Sequence, residues 1–74
     1  IIDHGCIIDE FAHIAPGTVL CGNVQIGKRS FIGANAVVRQ NIKIGNDVMI
    51  GAGCVVVKNI PDNTVMVGNP AKKI

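Results

Sequence analysis

The chain has 74 residues, a net charge of +2 and 49% hydrophobic residues, yet its aromatics are limited to Phe11 and Phe31. That length allows one small domain, which buries only about 60% of its unfolded surface and suits a thin core of stacked aliphatics. Scattered charge leaves no nucleic-acid footprint, no apolar run approaches a membrane span, and the opening residues do not read as a signal peptide.

An aliphatic residue returns at every sixth position: Ile2, Ile8, Ile14, Leu20, Ile26, Ile32, Val38, Ile44, Ile50 and Val56. Period six is neither helical nor an ordinary strand alternation; it is the signature of a hexapeptide-repeat parallel β-helix. With the aliphatic residue as position one, position five is small or β-branched: Cys6, Ala12, Thr18, Val24, Ser30, Ala36, Ile42, Val48, Cys54 and Ile60. It is the second inward residue. Position four is Gly, Asn or Asp at Gly5, Gly17, Asn23, Asn35, Asn41, Asp47, Gly53 and Asn59. Those residues tolerate a left-handed backbone, so a turn is predicted in every hexad. Phe11 and Arg29 break the rule and are expected to carry local strain or a special role.

Three hexads close one triangular coil of eighteen residues, and coils stack at about 4.8 Å. The fold class is therefore all-β, a parallel β-helix of about three coils. Its left-handed sense is taken from hexapeptide repeats in general. Stacking places residues eighteen apart in columns. Two outward columns are apolar, one with Val19, Val37 and Val55, the other with His13, Phe31, Met49 and Val67; the third, with Ile7, Gln25 and Lys43, turns polar. Two apolar faces and one polar face fit a closed ring, most simply a homotrimer, although a covering helix or domain would serve as well. Glu10 and Lys28 share a column and are candidates to pair at the surface.

Past Val56 the pattern fades. Asn59 to Asn63 is turn chemistry, Val65 to Val67 reads as a final strand, and Gly68-Asn69-Pro70 breaks it. Ala71 to Ile74 reads as a trailing tail, so residues about 61–74 form a terminal strand and tail. The whole of 1–74 is one domain, and its start at Ile1 suggests the C-terminal part of a longer protein.

Three cysteines, Cys6, Cys21 and Cys54, show no Cys-x-x-Cys spacing, so neither a zinc nor a disulfide framework is expected. Cys6 and Cys54 read as small core hydrophobes in a reducing, cytoplasmic compartment. The two histidines, His4 and His13, are the side chains suited to move protons near neutral pH. Nine residues is half a coil, so they fall about 15 Å apart and cannot act together within one chain. His13 heads an apolar column and His4 sits at a corner; in a trimer, His4 of one chain would approach His13 of the next. A corner column of Pro16, Ala34 and Ala52, beside Gly33, Gly51 and Gly53, leaves a shallow track for a long thin ligand. Tight turns explain the same small residues equally well. Lys58, Lys72 and Lys73 sit near one end, where they could meet phosphates or simply stay solvated.

At Asp3-His4-Gly5-Cys6, at Phe11-Ala12-His13-Ile14-Ala15-Pro16-Gly17 and at Val67-Gly68-Asn69-Pro70-Ala71-Lys72, the chain resembles bacterial sugar acetyltransferases of the hexapeptide-repeat superfamily. The group in question holds the sialic acid O-acetyltransferases and UDP-amino-sugar N-acetyltransferases. The resemblance implies a trimer that transfers acetyl from acetyl-CoA to an amine or hydroxyl of a nucleotide sugar or sialic acid. It implies His4 as general base. It also implies acetyl-CoA contacts at His13, at backbone groups of Gly22, Ala34 and Ala52, and at Lys72. No metal is implied, and two histidines at this spacing do not match the three-histidine zinc site of hexapeptide-repeat carbonic anhydrases. Two departures stand out. Relatives carry an acidic residue directly after the catalytic histidine, where this chain has Gly5, which leaves Asp3 or a neighbouring chain to substitute; and they tend to have glycine where Asp9 stands. The rival reading is a non-catalytic trimerisation scaffold or sugar-binding module.

Overall fold

The computed structural model describes residues 1–74, and eleven short strands make up its regular structure. They are β1 (Ile7–Ile8), β2 (His13–Ile14), β3 (Val19–Leu20), β4 (Gln25–Ile26), β5 (Phe31–Ile32), β6 (Val37–Val38), β7 (Lys43–Ile44), β8 (Met49–Ile50), β9 (Val55–Val56), β10 (Val65–Val67) and β11 (Lys72–Lys73). They form three sheets, ordered β1-β4-β7, β3-β6-β9 and β11-β10-β8-β5-β2. Pairing is parallel with partners eighteen apart, as in Ile8↔Ile26, Ile14↔Ile32 and Leu20↔Val38. The result is a parallel β-solenoid of about three turns, 29 Å by 20 Å by 20 Å.

Why the chain coils this way is local. At five corners the position-five N–H closes a four-residue turn on the position-two carbonyl, as from Ala12 to Asp9 (3.3 Å) and from Ser30 to Gly27 (3.4 Å). Position four takes a left-handed backbone at Gly5, Phe11, Gly17, Asn23, Arg29, Asn35, Asn41, Asp47 and Gly53. Pro16 before Gly17 is the residue order a type II turn asks for. Arg29 holds this conformation with a bidentate grip on Asp47 of the next coil, at 2.7 and 2.9 Å. Phe11 holds it almost fully exposed, without such a partner.

The core is the two inward series. Leu20, Ile26, Ile32, Val38, Ile44, Ile50 and Val56 are sealed, and Val24, Ala36, Val48 and Cys54 fill the corners between them. Two inward hydroxyls satisfy the backbone: Thr18 donates to the Gly33 carbonyl at 2.9 Å, and Ser30 donates to the Gly45 carbonyl at 2.6 Å while accepting from the Val48 N–H at 3.0 Å. Gly33 admits no side chain, because a Cβ there would lie 2.6 Å from the Ala52 nitrogen. Ile2 and Ile8 point inward too but have a coil on one side only, and both stay partly exposed.

Four expectations change near the C-terminus. The coil after Ile44 is two residues shorter, so Ile60 stacks on Ile44 at position one rather than serving position five. Asn59 is accordingly not a left-handed turn residue; Asn63 is, and the Asn59 side chain instead accepts the Lys43 N–H at 2.9 Å. The same shift puts Val65, not Val67, on Met49. The tail does not trail off either. Lys72 and Lys73 pair antiparallel with Val67 and Met66, which folds the chain end back along the last coil.

Candidate active site

His4 stands at the corner that leads into β1, and its backbone is pinned from both sides. The Asp3 N–H donates to the Leu20 carbonyl at 2.9 Å, and the Asn23 N–H donates to the His4 carbonyl at 3.0 Å. The Asp3 carboxylate folds back on its neighbour: Oδ1 accepts the His4 N–H at 2.7 Å and lies 3.0 Å from His4 Nδ1. Those two contacts hold the Asp3 carboxyl below its usual range. The imidazole reaches over Gly22 of the second coil. A methyl built on Gly22 would lie 3.5 Å from His4 Cε1 and 3.7 Å from Nε2. His4 and Gly22, eighteen residues apart, are thus brought together by coil stacking alone.

His13 lies on a different sheet and is not in contact with His4, as half a coil of separation requires. Its ring stacks on Phe31, with centroids 5.0 Å apart and planes 10° from parallel. Phe31, Met49 and Val65 continue that column with exposed apolar surface, and half-buried Val19, Val37 and Val55 run along the adjoining sheet. Between the two columns runs the corner of Pro16, Ala34 and Ala52. The carbonyls of Pro16 and Ala34 accept from Asn35 and Gly53, at 3.2 and 2.8 Å. The N–H groups of Ala34 and Ala52 donate to nothing in the chain, and neither does that of Gly22. Unpaired backbone donors on an accessible corner are the groups a ligand with carbonyl or phosphate oxygens would use.

Lys72 is fixed in β11, at the opposite end of the solenoid axis from His4 and four strand spacings, about 19 Å, beyond β2. Glu10 and Lys28 do not pair; the only ion pairs are Asp3 with His4 and Arg29 with Asp47. The grooves of the chain lie elsewhere. One of about 360 Å³ follows the polar face past Gln25, Gly27, Lys43 and Gly45, and a second of about 470 Å³ adjoins it at Asn59 and Pro61. None of the expected site residues lines either groove, so the site residues of a single chain lie on open surface. No group of three or more His, Cys, Asp or Glu side chains gathers to hold a metal ion, and no helix is long and apolar enough to cross a membrane. The Arg29–Asp47 clasp is a contact that the repeat pattern does not announce, although both residues occupy position four, eighteen apart. All three cysteines are free thiols, and Cys6 donates from sulfur to the Cys21 carbonyl at 3.2 Å.

Repeat and turn pattern together build a solenoid of hexapeptide repeats, and residues 23–58 match the family described as bacterial transferase hexapeptide (six repeats). Its likeness is to acetyltransferases in particular. A mutant of perosamine N-acetyltransferase from Caulobacter crescentus, in complex with CoA and GDP-perosamine, is 38% identical with a TM-score of 0.93; the match covers 95% of this chain and 33% of that one. The acetyltransferase domain of PglB from Neisseria gonorrhoeae, in complex with acetyl coenzyme A, is 48% identical with a TM-score of 0.92, over 93% of this chain and 34% of that one. A serine acetyltransferase from Brucella abortus, in complex with coenzyme A, is 28% identical with a TM-score of 0.94, over all of this chain and 33% of that one. The chain therefore spans about a third of the length of the structures it matches.

Proposed function

We propose that this chain is the acetyl-transferring domain of an enzyme that moves acetyl from acetyl-CoA to an amine or hydroxyl of a nucleotide sugar. The observation that carries the reading is the placement of His4 over Gly22, beside an unpaired backbone N–H, in a chain similar to acetyltransferases with CoA bound. An amine is the favoured nucleophile, because the perosamine relative is named an N-acetyltransferase.

His4 acts as general base. As the acceptor nitrogen or oxygen attacks the thioester carbonyl, His4 takes its proton. The Gly22 N–H meets the negative charge that develops on the carbonyl oxygen. When the carbon–sulfur bond breaks, the imidazolium returns the proton to the leaving thiolate. His13 and the free N–H groups of Ala34 and Ala52 bind acetyl-CoA, and Lys72 meets its phosphates.

The domain works as a left-handed, homotrimeric β-helix. The exposed column of Phe31, Met49 and Val65 and the adjoining valine column supply the two faces that pack against neighbours. Closure around the axis brings His4 of one chain toward His13 of the next, so that the site is completed between copies.

The test is release of free CoA from acetyl-CoA by the full chain, with UDP- and GDP-linked amino sugars and sialic acids as acceptors. Turnover with an acceptor that falls by about 10²- to 10⁴-fold in His4→Ala is the expected result. Equal turnover in His4→Ala would remove the base assignment. No binding of acetyl-CoA at all would favour the scaffold reading.

A further inference from the structure

We propose that Asp3 is the positioning residue of this site, holding His4 in the Nδ1–H tautomer so that Nε2, the nitrogen near Gly22, is the one left free to take a proton. The inference rests on the acetyl-transfer reading, in which His4 is the base.

The geometry is built from four contacts. Asp3 is anchored below by its N–H to Leu20 and His4 by its carbonyl to Asn23, so the dipeptide cannot slide along the stack. The same Asp3 oxygen receives the His4 backbone N–H at 2.7 Å and faces the ring Nδ1 at 3.0 Å. An ionised carboxylate only accepts hydrogen bonds. The proton of a neutral His4 ring therefore sits on Nδ1, and the lone pair sits on Nε2. The Gly22 contact completes the arrangement, since Cε1 and Nε2 are the ring atoms that approach Gly22, whose own N–H is unpaired.

The neighbouring position offers no competing group. Gly5 follows His4 with φ at +73°, and a Cβ there would collide with the Asn23 side-chain oxygen. Gly22, the residue of the next coil that meets the ring, carries no charge. The Cys6 thiol is engaged with the Cys21 carbonyl. Asp3 is the one charged group bonded to the imidazole.

Asp3→Ala in the full chain isolates this role, because it removes the acceptor that faces Nδ1 while the backbone bonds anchoring Asp3 and His4 to the next coil stay in place. In acetyl-transfer assays Asp3→Ala is expected to lower kcat about 10- to 100-fold with KM for acetyl-CoA unchanged. Nitrogen-15 NMR of histidine-labelled protein near pH 8 reads the tautomer directly, without any assay: Nδ1–H in the unmodified chain is expected. An Nε2–H tautomer at His4 would overturn the inference. So would a wild-type kcat in Asp3→Ala, provided His4→Ala is inactive. Full activity in His4→Ala would instead sink the acetyl-transfer reading itself, and this inference with it.

Discussion

A methyl group at position 22 would touch the His4 imidazole without touching any backbone closer than 3.7 Å. Gly22 has no left-handed φ, so the fold does not need a glycine there. Gly22→Ala should keep the thermal midpoint of the parent and lower acetyl transfer about tenfold or more, because the base is displaced at its reactive edge. Activity and melting temperature measured on the same sample check both halves. A second residue-scale prediction concerns Asp47, whose carboxyl the Arg29 guanidinium holds below the usual range. Its folded value is depressed, so its stabilisation is present above the ordinary aspartate value, near pH 3.9, and fades as pH falls through the lowered one. Asp47→Asn should therefore lose less stability than the parent on acidification below about pH 4, read by denaturant titration at several pH values. At this scale the small and left-handed positions were plain in the sequence, since Gly and Asn recur where a turn demands them. Arg29 was not, because what sustains it is a carboxylate one coil away rather than its own preference.

The solenoid is held together at the level of the coil by two kinds of stacking, apolar on the inward faces and hydrogen-bonded at the corners. Ser30 serves both. It is sealed in the core, and its hydroxyl bridges the Gly45 carbonyl and the Val48 N–H. Ser30→Ala leaves those two backbone groups buried without partners and should cost about 2 kcal/mol, seen as a lower denaturation midpoint. A valine there would fill the volume but strand the same two groups. Period six sets the register from β1 to β9 because each inward residue slots over the one eighteen before it. Beyond Val56 it misplaces the chain, because Asn59 and Ile60 suit positions four and five of an unbroken series as well as they suit their real places. The telling signal was the restart: Ile60, Asn63 and Thr64 fill positions one, four and five of a new hexad, and Met66 opens the next. Strand β11 had no signal at all. Lys72 and Lys73 carry no inward pattern, and backbone pairing to Val67 and Met66 alone makes the strand.

As a whole molecule the chain presents two apolar sheets and one polar one, and its expected site residues lie on open surface outside both grooves. A surface of that kind gains a pocket when copies meet. Met49 is about half exposed and bears little of the single-chain fold, so Met49→Glu should leave each chain folded. It should also shift the molecular mass by light scattering from trimer to monomer and abolish acetyl transfer. The face pattern was legible in the columns, whereas the partner that each face meets is not a property of one chain's sequence. The measurement that bears most directly on a site assembled between copies is complementation. His4→Ala and His13→Ala chains, each expected to be inactive alone, would be unfolded and refolded together, and acetyl transfer assayed. Random hybrid trimers should regain activity at about a quarter of their sites, those pairing an intact His4 with an intact His13 from the neighbour. Activity no higher than the two parents combined, in oligomers shown to have exchanged subunits, would contradict it.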